Sequence, residues 1–364
     1  MVSCVLRNVR RISEEEVDIV IESGKVNAIV SAGSGRGKII DCSGMYVSSG
    51  WIDMHVHAFP EFDPYGDEID VIGIKQGVTT IVDAGSCGAD RISDLAASGA
   101  TSKTNVFSFL NISKIGLSRV DELSNLEWID KDQVLQAVNE HKDFIIGLKA
   151  RMSKSVVGNC GTEPLCIARK LSDETALPIM VHIGSGPPHI DDIVSLLQKG
   201  DIITHYLHGK PNNLFDNDGK ALQVLTDAVN RDVQLDVGHG TASFSFKVAA
   251  LAKANHIKLG TISTDIYRGN RLSGPVYSMA NVLSKFLYLG YSLQEVIDAV
   301  TIKPAIWLDK PELGRIEIGE RANLTLFTIH SGPVEFIDSE GDKRLGNRII
   351  ETKGVVMNGE FIKC

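Results

Sequence analysis

Short alternating strands at both ends of the chain enclose a long central region in which apolar runs alternate with helical patterns. Near the N-terminus, residues 17–22 alternate, a Ser-Gly-Lys turn follows, and residues 26–30 resume the alternation. Near the C-terminus, an Asn-Gly pair at positions 358 and 359 joins two short apolar segments, the strongest short-range signal for a β-hairpin. These patterns predict a small β-sandwich domain formed by both chain ends, residues 1–48 plus 310–364.

The central region, residues 49–309, is expected to contain eight strands separated by helices. The strand candidates are residues 50–57, 79–83, 104–110, 144–149, 178–182, 202–205, 233–237 and 261–265, with helical patterns at residues 132–141, 163–175 and 243–255 among others. Eight such units over about 250 residues have the size and repeat of a (β/α)8 TIM barrel, so the predicted fold class is α/β. A doubly wound open sheet is the competing interpretation. No Gly-x-Gly-x-x-Gly opens a helix after the first strand, which argues against its dinucleotide-binding version.

The most informative segment is Gly-Trp-Ile-Asp-Met-His-Val-His at residues 50–57. On a strand, His55 and His57 point to the same face because side chains alternate. Four more polar residues end later apolar runs: Lys149, His182, His205 and Asp265. All six would lie at the C-terminal end of the barrel, where active sites of this fold are built.

Each of these six residues has an ordinary explanation when it is taken alone. A single strand-end histidine is more often structural, an aspartate there often caps the next helix, and a lysine there normally reaches solvent. Six such residues at one edge of a single barrel are hard to explain in that way. Imidazole and carboxylate groups are common zinc ligands, so the joint pattern predicts a metal site with Asp265 in it.

Composition and charge narrow the range of partners. The 364-residue chain carries a net charge of −9 and 43% apolar residues. It therefore has enough apolar residues for a large core but no basic footprint for nucleic acid. No run of 18 apolar residues predicts a membrane span, and no signal peptide is seen. The six cysteines are scattered, as in a cytoplasmic protein with reduced thiols. The expected partner is a small molecule, with a homo-oligomer left open.

With these motifs the chain resembles the amidohydrolase superfamily of metal-dependent hydrolases. The residues that carry the resemblance are the 50–57 motif and the preceding segment 39–47, with Ser49 standing where many members have proline. The similarity extends over essentially the whole chain. Segments 147–153 and 204–209 resemble most closely a group of bacterial dihydroorotase-like amidohydrolases and deacetylases.

The resemblance implies a pair of divalent metal ions, with zinc expected and manganese, cobalt or iron also compatible. It implies that His55, His57 and Asp265 bind the more buried ion and that His182 and His205 bind the more exposed one. It further implies that Lys149, carbamylated by CO₂, bridges both ions, since a lysine ammonium has no lone pair to donate. A bridging hydroxide would then attack, and Asp265 would transfer the proton.

Six further residues are candidates for substrate binding. Arg151 lies two positions beyond Lys149, and its guanidinium suits a substrate carboxylate. An ion pair that holds its loop is an equally good interpretation of Arg151. Tyr206, His208, Tyr267 and Arg268 follow ligand positions and could bind substrate or polarise a carbonyl. His239 ends the seventh strand and is expected to face the site, although a hydrogen bond that supports the site would explain it equally well.

The expected function is hydrolysis of an acyl group, in particular acetyl, from an amide or ester of a small α-substituted carboxylic acid. The alternative is a cyclic amide hydrolase of the dihydroorotase or hydantoinase kind. Dihydroorotases usually place an arginine soon after the His-x-His pair, whereas Ala58, Phe59 and Pro60 follow here. The cysteine that D-aminoacylases use is replaced by Lys149, and no deaminase glutamate motif is found. A non-catalytic scaffold barrel is the most distant alternative.

Overall fold

The protein is described from a computed structural model that covers residues 3–364. Fifteen strands are formed: β1 (Ser3–Arg11), β2 (Glu16–Glu22), β3 (Lys25–Ser31), β4 (Lys38–Asp41), β5 (Tyr46–Ser49), β6 (Trp51–Val56), β7 (Val78–Ala84), β8 (Asn105–Asn111), β9 (Ile145–Met152), β10 (Ile179–Ile183), β11 (Ile202–Thr204), β12 (Gln234–Asp236), β13 (Leu324–Ile337), β14 (Lys343–Met357) and β15 (Glu360–Lys363).

Twelve α-helices are formed within the same residues: α1 (Ile69–Ile72), α2 (Ile92–Thr101), α3 (Lys131–Glu140), α4 (Lys154–Val157), α5 (Glu163–Thr175), α6 (Ile190–Val194), α7 (Gln223–Asn230), α8 (Phe246–Ala254), α9 (Arg268–Ser273), α10 (Met279–Tyr288), α11 (Leu293–Asp298) and α12 (Ile302–Trp307). None of these helices is long and apolar enough to cross a membrane.

Strands β6 to β12 form a parallel sheet in which neighbours in the chain are neighbours in space. The segment predicted as the eighth strand closes the ring. Thr261 bridges to Asp236 of β12, and Ile266 bridges to Val56 of β6, both in parallel. This segment is not a regular strand, because Asp265 has a φ of +51° and interrupts the extended backbone. The predicted TIM barrel fold is confirmed, with seven regular strands and one irregular one.

The two chain ends combine in a separate mixed sheet. Its order is β15-β14-β13-β5-β1-β2-β3, with β4 parallel to β1. The predicted Asn-Gly hairpin joins β14 to β15, with positive φ at Asn358 and Gly359 as a two-residue turn requires. Alternating side chains give this sheet its own apolar core, which includes Leu6, Ile19 and Leu326.

The hairpin formed by β13 and β14 extends from the mixed sheet onto the barrel. Phe336 and Ile350 are buried in the barrel's apolar core. Beyond them, the Ser339 backbone N–H donates to the carbonyl of Phe244 at 3.0 Å, and the Ser339 hydroxyl donates to the carbonyl of Gly240 at 2.8 Å. The hairpin tip therefore contacts the loop that follows β12, at the C-terminal end of the barrel.

Candidate active site

All six predicted metal ligands line one cavity of about 310 Å³ at the C-terminal end of the barrel. His55, Lys149 and His182 lie in β6, β9 and β10. His57 and His205 directly follow β6 and β11, and Asp265 lies in the irregular eighth segment of the barrel. Side-chain nitrogen or oxygen atoms of His55, His205 and Asp265 all lie within 4.8 Å of one another. A larger cavity of about 580 Å³, at Lys25 and Phe107, contains none of the predicted ligands, so size alone does not mark the site.

The six side chains form a compact arrangement around Asp265. Its Oδ1 lies 3.1 Å from Nε2 of His57 and 3.5 Å from Nε2 of His55. Nζ of Lys149 is 3.5 Å from the same nitrogen of His55. The rings of His182 and His205 are 4.3 Å apart between centroids, and those of His55 and His205 are 4.9 Å apart.

Two hydroxyl groups fix the tautomers of His55 and His57. Nδ1 of His55 lies 2.9 Å from the Thr204 hydroxyl, and Nδ1 of His57 lies 2.8 Å from the Ser86 hydroxyl. Each hydroxyl donates its own proton to a buried carboxylate at 2.8 Å, Thr204 to Asp236 and Ser86 to Asp83. Each hydroxyl must therefore accept the Nδ1 proton, which leaves the Nε2 lone pair directed at Asp265.

A backbone carbonyl fixes the tautomer of His205 in the same way. Its Nδ1 donates to the carbonyl of Gly238 at 2.6 Å, and its buried Nε2 has no hydrogen-bond partner in the described residues. Burial lowers the pKa of His205 to about 3 and lowers the pKa of His55 well below its ordinary value. Both imidazoles are therefore neutral near pH 7, the form that binds a metal ion.

These contacts fit a cation at the centre of the cluster. A neutral imidazole Nε2 and a carboxylate oxygen both carry lone pairs, yet those of His57 and Asp265 are only 3.1 Å apart. Such a pair requires a proton or a positive ion between them. The unpartnered Nε2 of His205 points to the same conclusion, because a buried polar atom without a partner is costly. Donors of nitrogen and oxygen type suit zinc and related divalent ions.

Lys149 is buried in a way that changes its chemistry. It is only 1% exposed, and its Nζ contacts His55 and the sulfur of Met180. Burial lowers the pKa of Lys149 to about 7, with Asp265 opposing the shift and the charge of Arg151 adding to it. A large fraction of Lys149 is thus a free amine near neutral pH, the form that can react with CO₂.

The backbone around the predicted ligands has unusual dihedral angles and close contacts with their side chains. His205 and Asp265 both adopt positive φ values, +68° and +51°, which are rare for residues other than glycine and cluster at functional sites. A Cβ atom on Gly240 would lie 2.2 Å from Oδ2 of Asp265, and one on Gly85 would lie 2.6 Å from Cβ of Lys149. Loop backbone therefore packs directly against these two side chains and limits their rotamers.

Two of the six substrate-binding candidates line the cavity. Arg151 does so while its Nη1 donates to the carboxylate of Glu122 at 3.2 Å, so the ion pair considered for this residue is formed. Glu122 is fully buried. Tyr267 lines the same cavity, with its hydroxyl 2.7 Å from the hydroxyl of Thr241.

The other four candidates, Tyr206, His208, His239 and Arg268, are not among the residues that line the cavity. Tyr206 and His208 are buried in the barrel. His239 is also buried, with Nε2 accepting from Nζ of Lys285 at 2.8 Å and its ring stacked on Phe244. Arg268 is half exposed and lies 3.9 Å from Asp67. The hydrogen bonds of the His239 side chain therefore join it to Lys285 and to the carbonyl of Gly240.

Several residues that shape the site were not singled out from the sequence. They are the aspartates Asp83 and Asp236, the hydroxyl residues Ser86 and Thr204, the buried Glu122, and the cavity-lining Tyr65 and Lys210. Asp83 and Asp236 lie at the C-terminal ends of β7 and β12, as the predicted ligands lie near the ends of theirs, so strand position could have identified them. Lys210 follows His205 by five residues in a loop, and no sequence periodicity indicates where its side chain lies.

The comparisons with known proteins agree with this geometry. The chain is 41% identical over 361 residues to a protein of Enterococcus faecalis named deacetylase, covering 98% of each chain. A crystal structure of an adenine deaminase matches with a TM-score of 0.95 and 39% identity, covering 100% of both chains. One of a dihydroorotase matches with a TM-score of 0.92 and 32% identity, covering 100% of this chain and 99% of the other. No protein-family model matches the chain.

The protein is a hydrolase that acts on carbon–nitrogen bonds, as its barrel fold, its histidine–aspartate cluster and its relatives together show. The cluster fits a metal ion. The chain belongs to the amidohydrolase superfamily. The scaffold alternative is therefore set aside.

Proposed function

We propose that this protein is a metal-dependent deacetylase that releases an acyl group, in particular acetyl, from an amide or ester of a small α-substituted carboxylic acid. The observation that carries the proposal is one cavity that holds all six ligand residues together with the cation Arg151. A 41% identical relative named deacetylase supports the reaction type. The cavity volume of about 310 Å³ suits a small molecule.

The residues proposed to hold two divalent ions, with zinc expected, are His55, His57, Lys149, His182, His205 and Asp265. When bound, the ions would supply a nucleophile derived from water and polarise the scissile carbonyl. Lys149 is proposed to act as a carbamate, because only a carbamylated lysine offers oxygen donors. Its pKa of about 7 supports this, since the free amine is available near neutral pH.

Asp265 is proposed to move the proton. Burial alone raises the pKa of this carboxyl, but its contact with His57, a pair that holds a proton or a positive ion between its two atoms, outweighs burial and holds the pKa below its usual value. Asp265 is thus ionised near pH 7 and can accept a proton at Oδ1 or Oδ2 during attack. It would then pass that proton to the leaving amine or alkoxide.

Arg151 is proposed to face the substrate with the guanidinium nitrogens that Glu122 does not occupy. Tyr267 is proposed to contact the substrate in the cavity. The contacts of His208 and His239 suggest support of loops rather than contact with substrate.

All six cysteines are free thiols, which supports a cytoplasmic setting.

Ring opening of a cyclic amide is the second candidate function. The 32% identity to a protein crystallised as a dihydroorotase favours it specifically. It uses the same ligand residues but consumes a cyclic substrate without releasing a small acid.

A substrate panel on zinc-loaded protein separates these functions. It contains N-acetyl amino acids and O-acetyl α-hydroxy acids of both hands, together with dihydroorotate, hydantoin and adenine. Acetate release with preference for one enantiomer is the expected result. Loss of a cyclic compound without acetate would transfer the assignment to a cyclic amidohydrolase, and ammonia release from adenine would transfer it to a deaminase.

The ligand assignment is tested by Lys149→Ala, because removal of the bridging residue should abolish metal retention and activity together. Metal content by mass spectrometry and turnover of the best panel substrate are measured on the same sample. Lys199→Ala, at a lysine whose side chain is 81% exposed, is the matched control and should keep both. A Lys149→Ala protein with two ions and full activity would refute the bridging role.

A further inference from the structure

Lys210 is a cation in the active-site cavity that the ligand cluster does not use. It lies in the loop after β11, lines the cavity and is partly buried. Within the described residues, no carboxylate forms an ion pair with it. Arg151, the other cation proposed to face the substrate, differs in this respect because the buried Glu122 already balances its charge. The unbalanced positive charge on the substrate side of the cavity therefore belongs to Lys210.

The backbone of Lys210 is held on both sides. Its N–H donates to Nδ1 of His208 at 3.1 Å, and its carbonyl accepts from the side-chain amide of Asn213 at 2.9 Å. The neighbouring Asn212 donates to the carbonyls of Gly184 and Pro188 in the loop after β10. His208 is fully buried, so its ring is a rigid support. These contacts fix the point from which the lysine side chain enters the cavity.

The ammonium of Lys210 lies beside the ligand His182. A Cβ atom placed on Gly184 would be 3.6 Å from Nζ of Lys210 and 3.5 Å from Nε2 of His182. The two nitrogens are therefore no more than about 7 Å apart, a distance that a small carboxylic acid derivative spans. A molecule held by Lys210 at one end would present its other end to the His182 side of the cluster.

The environment of Lys210 favours an anionic partner. Burial lowers the pKa of Lys210, and the charge of Arg151 lowers it further, while Asp265 acts in the opposite direction. A partly desolvated ammonium without a counterion is unfavourable, and a bound carboxylate would restore its stability.

We propose that Lys210 binds the carboxylate of the substrate and determines the preference of the enzyme for acids over neutral analogues, with His208 as the residue that positions it. This inference rests on the proposed function, because it assigns the acid group of the same substrate. It gives Arg151, already paired with Glu122, a secondary part in carboxylate binding.

The test compares an acid with its neutral amide. Binding of N-acetylalanine and N-acetylalaninamide, both hands of each, is measured by calorimetry on zinc-loaded protein, and kinetics are measured where turnover occurs. The wild-type protein should prefer one hand of the acid, and Lys210→Met should weaken its binding and kcat/KM roughly 10- to 100-fold. Affinity for the amide should change less than about threefold, and Lys210→Arg should restore most of the preference.

A positioning role of His208 makes a separate prediction. His208→Leu should raise KM for the acid while kcat and the zinc content change little, because the ring supports Lys210 and does not belong to the ligand cluster. Lys220→Met, at an exposed lysine later in the same loop, is the matched control and should behave as wild type.

Three outcomes would overturn the inference. They are equal binding of acid and amide by the wild-type protein, binding of neither compound, or equal losses for both compounds in Lys210→Met. The proposed function fails independently if the panel yields no acetate. In that case an acid preference that Lys210→Met removes would still establish the carboxylate site.

Discussion

Two buried aspartates, one at each end of the barrel, show how the same residue type serves two purposes. At the N-terminal end, Asp201 precedes β11, and its carboxylate accepts from Arg169 at 2.7 Å and from backbone N–H groups of Ile179 and Gln198. At the C-terminal end, Asp236 ends β12, and its hydrogen bonds within residues 3–364 come from the hydroxyls of Thr204, Thr261 and Ser263. Both carboxylates are at most 1% exposed.

The two aspartates differ in the further hydrogen bonds that their partners make. The partners of Asp201 are a guanidinium and backbone N–H groups, so its hydrogen bonds hold secondary-structure elements together and do not lead to the cavity. One partner of Asp236, the Thr204 hydroxyl, is also hydrogen-bonded to Nδ1 of His55, a predicted metal ligand. Asp83 repeats this arrangement through Ser86 and His57. Burial alone therefore does not separate a structural carboxylate from one that orients a ligand, and the chain of hydrogen bonds must be followed to its end.

The largest effect is expected from Asp201→Asn at the N-terminal end. The substitution removes the charge that balances Arg169, whose side chain is only 13% exposed, and should lower the free energy of unfolding by roughly 3 kcal/mol. Urea denaturation measures this loss. Zinc affinity of the folded protein should be unchanged, and a zinc affinity that falls with stability would contradict the division between the two ends.

Asp236→Asn should lower zinc affinity and activity rather than stability. Its amide can donate to Thr204, so the threonine hydroxyl no longer has to accept from His55, and the imidazole loses its enforced tautomer. Zinc affinity and activity are expected to fall about 10- to 100-fold, the usual cost of losing a group that orients a ligand. Competition with a chelating dye measures the affinity. An unchanged zinc affinity, with stability lost instead, would reduce Asp236 to a structural residue.

A smaller effect is expected from pH at Lys149. Because burial lowers its pKa to about 7, the amine is mostly protonated below pH 7 and mostly free above it. At constant dissolved CO₂, recovery of activity by metal-stripped protein on adding zinc should rise about tenfold from pH 6 to pH 8 and then level off. A recovery of activity that keeps rising up to pH 10 would indicate a lysine with an ordinary pKa and would weaken the carbamate proposal.

Much of the fold could be predicted from local pattern. Periodicity predicted the strands of the barrel, the helix at residues 163–175 and the Asn-Gly hairpin, and these are formed. The eighth strand was predicted as regular, but Asp265 interrupts it with positive φ. Local propensity does not predict this conformation, because the backbone N–H of Asp265 donates to the carbonyl of His55 at 2.7 Å, a partner that is far from Asp265 in the sequence.

The candidate site divides in a similar way. Their positions at strand ends predicted that the six residues of the cluster lie together, because parallel strands bring their C-terminal ends to one edge. All six line the cavity. Tyr206, His208, His239 and Arg268 were expected at the substrate from their closeness to ligands in sequence. Beyond a strand end the regular alternation of side chains stops, and these four residues are not among those that line the cavity.

The sequence by itself determined the class of fold, the strand-end positions of the predicted ligands and the kind of chemistry that such residues support, since each depends on residue type and short-range periodicity. Only the tertiary structure decided which hydroxyl joins each histidine to its aspartate, which cation Glu122 neutralises and where Lys210 lies. These pairings connect segments that are far apart in the chain. They depend on how separate strands and loops pack in three dimensions, and no local pattern in the sequence encodes that packing.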